Sequence, residues 1–369
     1  MTIGITGSIG FLGANLVKYL CDRQSGNLDM VCFYSHRRSN PLTDHLDLSY
    51  RHLDITSRDE VLEKTRDLDV LFHLAGVVDY SRKQARRTWD ANVLGAKNIF
   101  DAAIQNGIQK LIYISSINVL GTVGAGSQLA DEYNRIYESP GNPISFRNRT
   151  AALTAVESST RDDYGFLRRS RVPYFDSKLA AYELAADYHR RNGLPVITVL
   201  PGTAVGRGDV GVTISQLIYL VSMNQLKFAL PGSSSFVSAR DVAEGIWLSY
   251  LRGQVGHSYI ITGRKEDNLE YRDFMKRIAK VAAAKYGRPV SDRFFCPPSA
   301  LCYLLAGVLR ILGIDSQPGE ALILSGCANH RFSHKKARDE LGYHPRDSIE
   351  EAIAACIDFY FHHLNNGET

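Results

Sequence analysis

The pattern that most restricts the fold opens the chain: an apolar run, a glycine-rich turn and a helical pattern follow one another. The apolar run Ile3–Thr6 leads into Thr6–Gly13, which contains three glycines, and a helical pattern covers Gly13–Asp22. Glycines permit a tight turn and let backbone N–H groups approach a pyrophosphate, while the helix N-terminus supplies positive potential. The pattern predicts a dinucleotide-binding turn, with a glycine turn that binds nothing as the alternative.

The same strand-and-helix alternation continues along the first half of the chain. Parallel strands covered on both faces read as continuous apolar runs, and helices between them make βαβ units. The fold class is therefore predicted to be α/β, a Rossmann-type doubly wound parallel sheet. The further strands are predicted at Met30–Tyr34, Val70–Leu74, Leu111–Ser115 and Val196–Leu200, and the helices at Ser57–Thr65, Trp89–Gly107 and Tyr174–Asn192.

Two regions depart from this alternation. Residues 122–172 are long and polar for a connection between a strand and a helix, and we expect them to form a lid over the active site. Beyond residue 262, helical patterns dominate. We therefore predict a dinucleotide-binding domain at 1–262, whose residues 203–235 contribute to the substrate lobe, and a smaller, mainly helical substrate-binding lobe at 263–369.

Composition excludes several classes of protein. The chain has 43 Lys and Arg against 39 Asp and Glu, a net charge of +4, which is too small to indicate nucleic-acid binding. Its six cysteines include no Cys-x-x-Cys pair, so neither a metal site nor a disulfide framework is predicted. Free thiols and the absence of a signal-peptide pattern favour a cytoplasmic protein.

The end of the second strand bears on the choice of cofactor. An acid there usually binds the ribose 2′-OH of NAD, but this strand ends with Tyr34 and Ser35 followed by His36, Arg37 and Arg38. Guanidinium groups pair well with phosphate, so NADP(H) is the predicted cofactor, with NAD(H) left open. The alternative is that Arg37 and Arg38 form a basic pair on the surface and do not bind the cofactor.

A second motif suits carbonyl chemistry. Ser115 and Ser116 end the fourth strand, at the edge where ligands bind in open α/β sheets, and Tyr174 and Lys178 share one face of a later helix. A nearby ammonium lowers the pKa of a phenol, and a hydroxyl beside the phenol can hold a carbonyl oxygen. This arrangement predicts proton donation to a carbonyl whose carbon exchanges hydride with a nicotinamide.

With these motifs in this order, the sequence resembles the extended short-chain dehydrogenase/reductase superfamily, of the NAD-dependent epimerase/dehydratase type. It is most similar to the branch of 3β-hydroxysteroid dehydrogenases and dihydroflavonol reductases. The resemblance implies that Ser116 and Tyr174 contact the carbonyl and that Lys178 binds the nicotinamide ribose. The predicted cofactor contacts are Thr6, Gly7, Ile9, Gly10, Phe11, Leu12, Gly13, His36, Arg37, Arg38, Asp54, Ile55, Leu74, Ala75, Gly76, Asn92, Ser115, Lys178, Pro201, Gly202 and Thr203.

The predicted function is an NADP-dependent oxidoreductase that interconverts a ketone and a secondary alcohol on a small, largely apolar substrate. Steroid-like, polyketide and β-oxo compounds fit that description. A nucleotide-sugar epimerase or dehydratase with bound NAD is the alternative within the same fold. A non-catalytic NADP-sensing protein is a further alternative, against which Ser116, Tyr174 and Lys178 argue. Ser116 and Tyr174 are 58 residues apart because of the insertion.

The stretch Pro297–Ile314 is the most apolar in the chain. It is shorter than the roughly 20 apolar residues that a membrane span needs, and Arg310 interrupts it. It is predicted either to form a core helix of the second lobe or, as the resemblance to steroid dehydrogenases implies, to line an apolar pocket or rest on a membrane surface. Peripheral membrane contact and a homodimer are left open.

Overall fold

The computed structural model describes residues 1–23, 29–36, 39–124, 129–134, 170–210, 214–314 and 319–364. Seven of the strands form a central, fully parallel sheet in the order β3-β2-β1-β4-β5-β6-β9. In chain order the strands are β1 (Thr2–Thr6), β2 (Asp29–Tyr34), β3 (Ser49–His52), β4 (Val70–His73), β5 (Lys110–Ile114), β6 (Val196–Pro201), β7 (Thr203–Val205), β8 (Ser233–Ser238), β9 (Ser258–Ile261), β10 (Asn268–Glu270) and β11 (Asn329–His330).

Helices cover both faces of this sheet, so the predicted Rossmann-type fold class is confirmed. In chain order the described α-helices are α1 (Phe11–Arg23), α2 (Arg58–Lys64), α3 (Ala85–Trp89), α4 (Gly95–Gln105), α5 (Pro173–Asn192), α6 (Ile214–Ser222), α7 (Ala239–Arg252), α8 (Tyr271–Tyr286), α9 (Ser299–Ile311), α10 (Glu320–Cys327) and α11 (Ile349–Leu364).

The alternation of side chains along β5 shows how two cores form. Leu111 and Tyr113 point to the face covered by α4 and α5, whereas Ile112 and Ile114 point to the face covered by α1 and α7. Successive residues of a strand point to opposite faces, so a continuous apolar run supplies both layers. All seven strands run the same way, and their carboxyl ends therefore meet along one edge of the sheet.

The five predicted strands form the middle of the sheet, whereas the prediction missed both edges, β3 and β9. β3 has the sequence Ser-Tyr-Arg-His, and its side chains are only partly covered. β3 therefore lacks the continuous apolar run that marks the buried strands, whereas β9, with the sequence Ser-Tyr-Ile-Ile, has a buried apolar run of only three residues.

The residues beyond 262 are mainly helical, but they also add two short strands. β8 is the centre of a second, four-stranded sheet in which it pairs with β7, β10 and β11. β10 and β11 have three and two residues, too few for a period-2 pattern to reveal them. The division into domains at residue 262 stays a prediction. Among the described helices, none has both the length and the hydrophobicity of a membrane span.

Candidate active site

The glycine turn between β1 and α1 is shaped by close backbone contacts. Gly7 has φ +68°, and a Cβ there would lie 2.7 Å from the backbone nitrogen of Ala75. A Cβ on Gly13 would lie 2.0 Å from the carbonyl oxygen of Gly7. Side chains at these two positions would therefore push the turn away from β4 and α1. Glycine keeps the first N–H groups of α1 open to an anion, as a pyrophosphate site requires.

Thr6 and His73 join the ends of β1 and β4 beneath this turn. The Thr6 hydroxyl accepts a hydrogen bond from the backbone nitrogen of Ala75 at 3.3 Å and lies 2.8 Å from Nδ1 of His73. Burial, with a smaller contribution from the charge of Lys178, lowers the pKa of His73 to about 3. His73 is therefore neutral and contributes to the structure of the strand ends. Leu74 follows in register, with its backbone nitrogen donating to the carbonyl of Thr6 at 3.2 Å.

Of the three basic residues predicted to select NADP, the structure describes only the first. His36 is exposed directly after β2, whereas Arg37 and Arg38 lie outside the described residues. Asn40, which the sequence did not indicate, is buried and donates from Nδ2 to the carbonyl of Ile9 at 3.0 Å. A buried amide can hold a loop that lacks regular backbone pairing, and this one supports the glycine turn from below.

Asp54 and Ile55, the predicted adenine contacts, follow β3 at the same edge of the sheet. The Asp54 carboxylate is exposed and accepts from the backbone nitrogen of Thr56 at 2.9 Å and from its hydroxyl at 2.8 Å. Ile55 packs against Gly95 at the start of α4. The carboxylate therefore stabilises the turn into α2, and its contact with adenine stays a prediction.

Ser116 and Tyr174 come together at the carboxyl end of β5, although they are far apart in the chain. The two side chains hydrogen bond to each other, and Ser116 Oγ also accepts from the backbone nitrogen of Asn118 at 3.2 Å. Lys178 lies one turn further along α5 and donates from Nζ to the carbonyl of Ile114 at 3.3 Å. Ser115 is buried beside Tyr113 instead.

Burial dominates the electrostatics of this group. Burial is the largest cause of a pKa of Tyr174 well above its usual value, and the hydrogen bond from Ser116 only partly opposes it. The sequence predicted that Lys178 lowers this pKa. In the chain by itself burial makes the net shift upward, and the effect of Lys178 stays a prediction. Burial also lowers the pKa of Lys178 to about 8. Tyr174 is thus a protonated phenol, the form that donates a proton.

Asn92 ties α5 to the loop after β4. Its amide nitrogen donates to Ser177 Oγ at 2.9 Å, and its amide oxygen accepts from the backbone nitrogen of Val77 at 2.8 Å. A Cβ on Gly76 would lie 2.8 Å from that amide oxygen and 3.5 Å from Nζ of Lys178. Asn92, Gly76 and Lys178 are therefore neighbours, as the predicted cofactor contacts require.

Pro201, Gly202 and Thr203 connect the two sheets. Pro201 ends β6, and a Cβ on Gly202 would lie 2.3 Å from the carbonyl oxygen of Ser235 on β8. The Thr203 hydroxyl lies 2.6 Å from that of Ser234. This close approach brings β8 to the end of β6, beside β5, after whose end Ser116 lies.

Two further tyrosines near Tyr174 were missed by the sequence analysis. The ring of Tyr80 meets that of Tyr174 edge-on, with centroids 5.6 Å apart, and its hydroxyl hydrogen bonds to Ser325 on α10. Tyr271, at the start of α8, hydrogen bonds to Ser234, and Tyr80 acts electrostatically on both other phenols. Tyr80 could have been suspected, because it follows β4 at the ligand-binding edge. No sequence signal indicated Tyr271.

His330 on β11 is also close to the site. It is buried against Phe175, and its Nδ1 lies 3.2 Å from the carbonyl of Gly121. A carbonyl only accepts, so Nδ1 carries the proton and Nε2 bears a lone pair. Within the described chain this Nε2 is buried without a hydrogen-bond partner. Burial lowers the pKa of His330 to about 4, so the ring is neutral.

The predicted lid, residues 122–172, lies largely outside the described residues. Its described beginning packs against the second sheet: the backbone nitrogen of Val123 donates to the carbonyl of Asn329 at 2.9 Å. Glu132 is buried and accepts from the backbone nitrogen of Ile260 at 3.0 Å. Its end, at Ser170, hydrogen bonds to Asp176 of α5. Both ends therefore lie near the site.

The residues present fit a dinucleotide. The glycine turn offers open backbone N–H groups where Gly7 and Gly13 exclude side chains, and Gly76 leaves room beside Lys178. The glycine turn would hold the pyrophosphate, and Lys178 the nicotinamide ribose. Those of the remaining predicted contacts that the structure describes are arranged along the same edge of the sheet, and the roles of all of them stay predictions.

Comparison with known proteins agrees with this geometry. Residues 4–159 match the model of the 3-beta hydroxysteroid dehydrogenase/isomerase family, and residues 148–262 match that of the NAD dependent epimerase/dehydratase family. The two matches together cover the central sheet and the Ser116, Tyr174 and Lys178 group. The chain belongs to the extended short-chain dehydrogenase/reductase superfamily.

Individual relatives place the chain near the branch that the sequence suggested. It is 24% identical to a putative dihydroflavonol 4-reductase of Synechocystis, over 97% of this chain and 94% of that one. It is also 24% identical to a 3-beta-hydroxysteroid dehydrogenase of Mycolicibacterium neoaurum, over 96% and 90%. The crystal structure of gox2253 has the same fold, with a TM-score of 0.74, 23% identity and coverage of 100% and 99%. As a superfamily member, the chain is an enzyme of the NAD(P)-dependent type.

Proposed function

We propose that this enzyme is an NADP-dependent oxidoreductase that interconverts a ketone and a secondary alcohol on a small, largely apolar substrate. The observation that carries the proposal is the buried hydrogen bond between Ser116 and a protonated Tyr174, with Lys178 one helical turn away. A carbonyl oxygen that approaches these hydroxyls meets a hydrogen-bond donor and a proton donor together.

In the direction of reduction, the carbonyl group gains one hydride and one proton and becomes a secondary alcohol. A nicotinamide cofactor, when bound, would supply the hydride that the carbonyl carbon gains. Tyr174 transfers its proton to the carbonyl oxygen as negative charge develops there, and Ser116 stabilises that charge by hydrogen bonding. Lys178, whose Nζ donates to the carbonyl of Ile114 at the end of β5, would hold the ribose of that cofactor. A raised pKa suits Tyr174 as the acid in this direction.

The side chains around Tyr174 favour an apolar substrate. Tyr174 belongs to a hydrophobic cluster with Phe175, Leu324 and Phe332. Two of the polar groups that border it, Tyr80 and the neutral His330, are uncharged. A nucleotide diphosphate needs cationic partners, whereas an apolar compound with one or two oxygens needs only such hydroxyls and a few acceptors.

An epimerase or dehydratase acting on a nucleotide sugar is the second candidate, because residues 148–262 match the family model of those enzymes. A turnover panel separates the two candidates. With NADPH, apolar cyclic ketones and β-oxo ketones are compared with UDP- and GDP-sugars. We expect NADPH oxidation only with the ketones. Turnover confined to nucleotide sugars would replace the proposal with the second candidate.

The preference for NADP is proposed from the basic end of β2. Arg37 and Arg38 are each changed singly to Gln, and the affinities for NADPH and NADH are measured by fluorescence titration. A charge-assisted hydrogen bond contributes roughly 1.5–3 kcal/mol, so losing the contact should weaken NADPH binding about tenfold or more and leave NADH unchanged. Equal affinities of the unmodified enzyme for both cofactors would contradict the preference.

A further inference from the structure

Six side chains from five parts of the chain form a closed circuit of neighbours that includes Tyr174. The ring of Phe175 lies 5.8 Å from that of Tyr174 and 5.8 Å from that of His330. Tyr80, from the loop after β4, meets both Tyr174 and Phe175, with centroids 5.6 and 6.0 Å away. The members of the Tyr174 circuit, as we name it, are Tyr80, Tyr174, Phe175, Ser234, Tyr271 and His330.

The second sheet closes the circuit between Tyr80 and His330. The phenol of Tyr271 hydrogen bonds to Ser234 on β8 and interacts electrostatically with Tyr80. Ser234 is paired in register with His330 on β11. Aligned residues of two parallel strands point to the same face of their sheet. His330 is therefore a neighbour of Ser234 on one side and of Phe175 on the other.

Every hydroxyl group of the circuit has a hydrogen-bond partner. The bonded pairs are Tyr174 with Ser116, Tyr80 with Ser325, Tyr271 with Ser234, and Ser234 with Thr203. These hydroxyls therefore hold one another and the surrounding elements in place.

His330 differs from the other members in having an unpaired polar atom. It is 3% exposed, and its Nδ1 donates to the carbonyl of Gly121 at 3.2 Å. Nε2 is thus the accepting nitrogen of a neutral ring, and it is buried without a hydrogen-bond partner among the described residues. Buried polar groups of native proteins are nearly always paired. An acceptor so placed beside the catalytic tyrosine is suited to a donor on a bound molecule.

We propose that Nε2 of His330 accepts a hydrogen bond from a hydroxyl group of the substrate, at the end remote from the reacting carbonyl. The inference rests on the proposed function and narrows it to apolar ketones that carry a second, hydroxylated position. Tyr174 and His330 each lie beside Phe175, so a compound of two linked rings can reach both. Because this nitrogen only accepts, a hydroxyl is preferred there to a methoxy group, which cannot donate.

Three ketones built on the same two linked cyclohexane rings test the proposal. The ring without the ketone carries hydrogen, a hydroxyl or a methoxy group at its far carbon. With saturating NADPH, we expect kcat/KM for the hydroxylated ketone to be about tenfold that of the unsubstituted one, the scale of one hydrogen bond. The methoxy ketone should be no better than the unsubstituted one. Equal values for the hydroxylated and unsubstituted ketones would overturn the proposal.

The variant His330→Asn separates the roles of the two ring nitrogens. Its amide nitrogen takes the place of Nδ1 and can still donate to Gly121, whereas nothing replaces Nε2. We expect kcat/KM for the hydroxylated ketone to fall about tenfold, to the level of the unsubstituted ketone, whose own turnover stays unchanged. A loss of the same size with all three ketones would assign His330 a structural role only and overturn the proposal.

His334→Asn is the matched control. His334 follows β11, and its Nδ1 lies 3.2 Å from the hydroxyl of Thr262, outside the Tyr174 circuit. The preference for the hydroxylated ketone should therefore persist in this variant. Circular dichroism confirms that each variant is folded. If His330→Asn does not fold, the preference of the unmodified enzyme among the three ketones decides.

Binding measurements keep this proposal apart from the proposed function. Calorimetric titration of each ketone into the enzyme with NADP+ gives affinities that do not depend on turnover. Binding or turnover of all three ketones without a preference for the hydroxylated one overturns only the role of His330. If none of the ketones binds or reacts, the proposed function fails and the role of His330 fails with it.

Discussion

The direction of each pKa shift near Tyr174 follows from burial. A buried phenol keeps its proton and a buried ammonium loses its proton more easily, because a low-dielectric environment disfavours the charged form of each. The pKa of Tyr174 is raised, and that of Lys178 is lowered to about 8. The chain by itself therefore holds the proton on Tyr174, which the proposed reduction consumes.

Removing that proton should abolish most of the activity. Tyr174→Phe keeps the ring and its contact with Tyr80 but lacks the hydroxyl. We expect turnover to fall by about 100-fold or more, the scale of general-acid catalysis, with NADPH affinity unchanged. Tyr182→Phe is the control on the same helix, since Tyr182 bonds to Ser258 and not to Ser116. Near-normal rates of Tyr174→Phe with the best ketone of the panel would exclude Tyr174 as the proton donor.

Tyr80 should affect substrate binding rather than proton transfer. Its hydroxyl bonds to Ser325, while its ring supports Tyr174 from the side. Tyr80→Phe removes only the hydroxyl and with it the bond that holds α10 beside the site. We therefore expect KM for the ketone to rise by up to about tenfold, the scale of one lost hydrogen bond, and kcat to change much less. Steady-state kinetics with saturating NADPH measure both. A fall in kcat at constant KM would assign Tyr80 to the chemical step instead.

At the scale of elements, one buried carboxylate links four segments around the site. Glu320 at the start of α10 lies 3.1 Å from Arg171 near the start of α5, and 3.8 Å from both Arg82 and Arg310. Arg82 follows the loop after β4, and Arg310 ends α9. The carboxylate therefore helps to set the position of α9 and α10 against the helix that carries Tyr174.

Loss of the Glu320 charge should destabilise the fold. Glu320→Gln leaves three guanidinium groups without their shared anion. Breaking a fully buried ion pair costs about 3–5 kcal/mol. Because the three arginines are partly exposed to solvent, which weakens their interaction with Glu320, we expect the free energy of unfolding to fall by roughly 1–3 kcal/mol. Urea unfolding measures it. Arg310→Gln, which removes one exposed partner, should cost clearly less. Equal losses in the two variants would mean that Glu320 does not act as a common anion.

At the scale of the whole molecule, buried neutral histidines make the fold sensitive to acid. His73 and His330 are held by different elements, and burial lowers their pKa values to about 3 and about 4. In the unfolded chain the pKa of histidine is about 6.5. Between these values the unfolded state binds protons that the folded state does not. The free energy of unfolding therefore falls as the pH falls from about 6.5 toward 4.

Replacing one of these histidines should reduce that dependence. In His330→Gln the chain takes up one proton fewer when it unfolds. The slope of the free energy of unfolding against pH, measured between pH 5.5 and 4.5, should therefore decrease by about 1.4 kcal/mol per pH unit. Denaturant unfolding at several pH values gives the slope. His45→Gln, at an exposed position, is the control and should have no such effect. An unchanged slope in His330→Gln would show that the His330 ring is already charged in the folded state.

The sequence by itself determined the features that depend on neighbours in the chain. Apolar runs predicted the central strands, because a strand buried on both faces needs an apolar residue at every position. The glycines at 7 and 13 predicted the turn, and the four-residue spacing put Tyr174 and Lys178 on one helix face. These patterns arise from backbone geometry, which repeats within a few residues. They sufficed for the fold class and the superfamily.

Only the tertiary structure decided what depends on contacts between distant segments. Tyr80 contacts Tyr174, Tyr271 interacts electrostatically with Tyr80, and His330 packs against Phe175. These residues come from three separate segments, and no local spacing records their interactions. The pKa of Tyr174 rises rather than falls because its burial outweighs the effect of nearby groups. The sequence left open whether α9 is a core helix, but packing shows that it is buried on one side only. Burial is the sum of contacts from the whole chain, so it could not be derived from any single stretch of it.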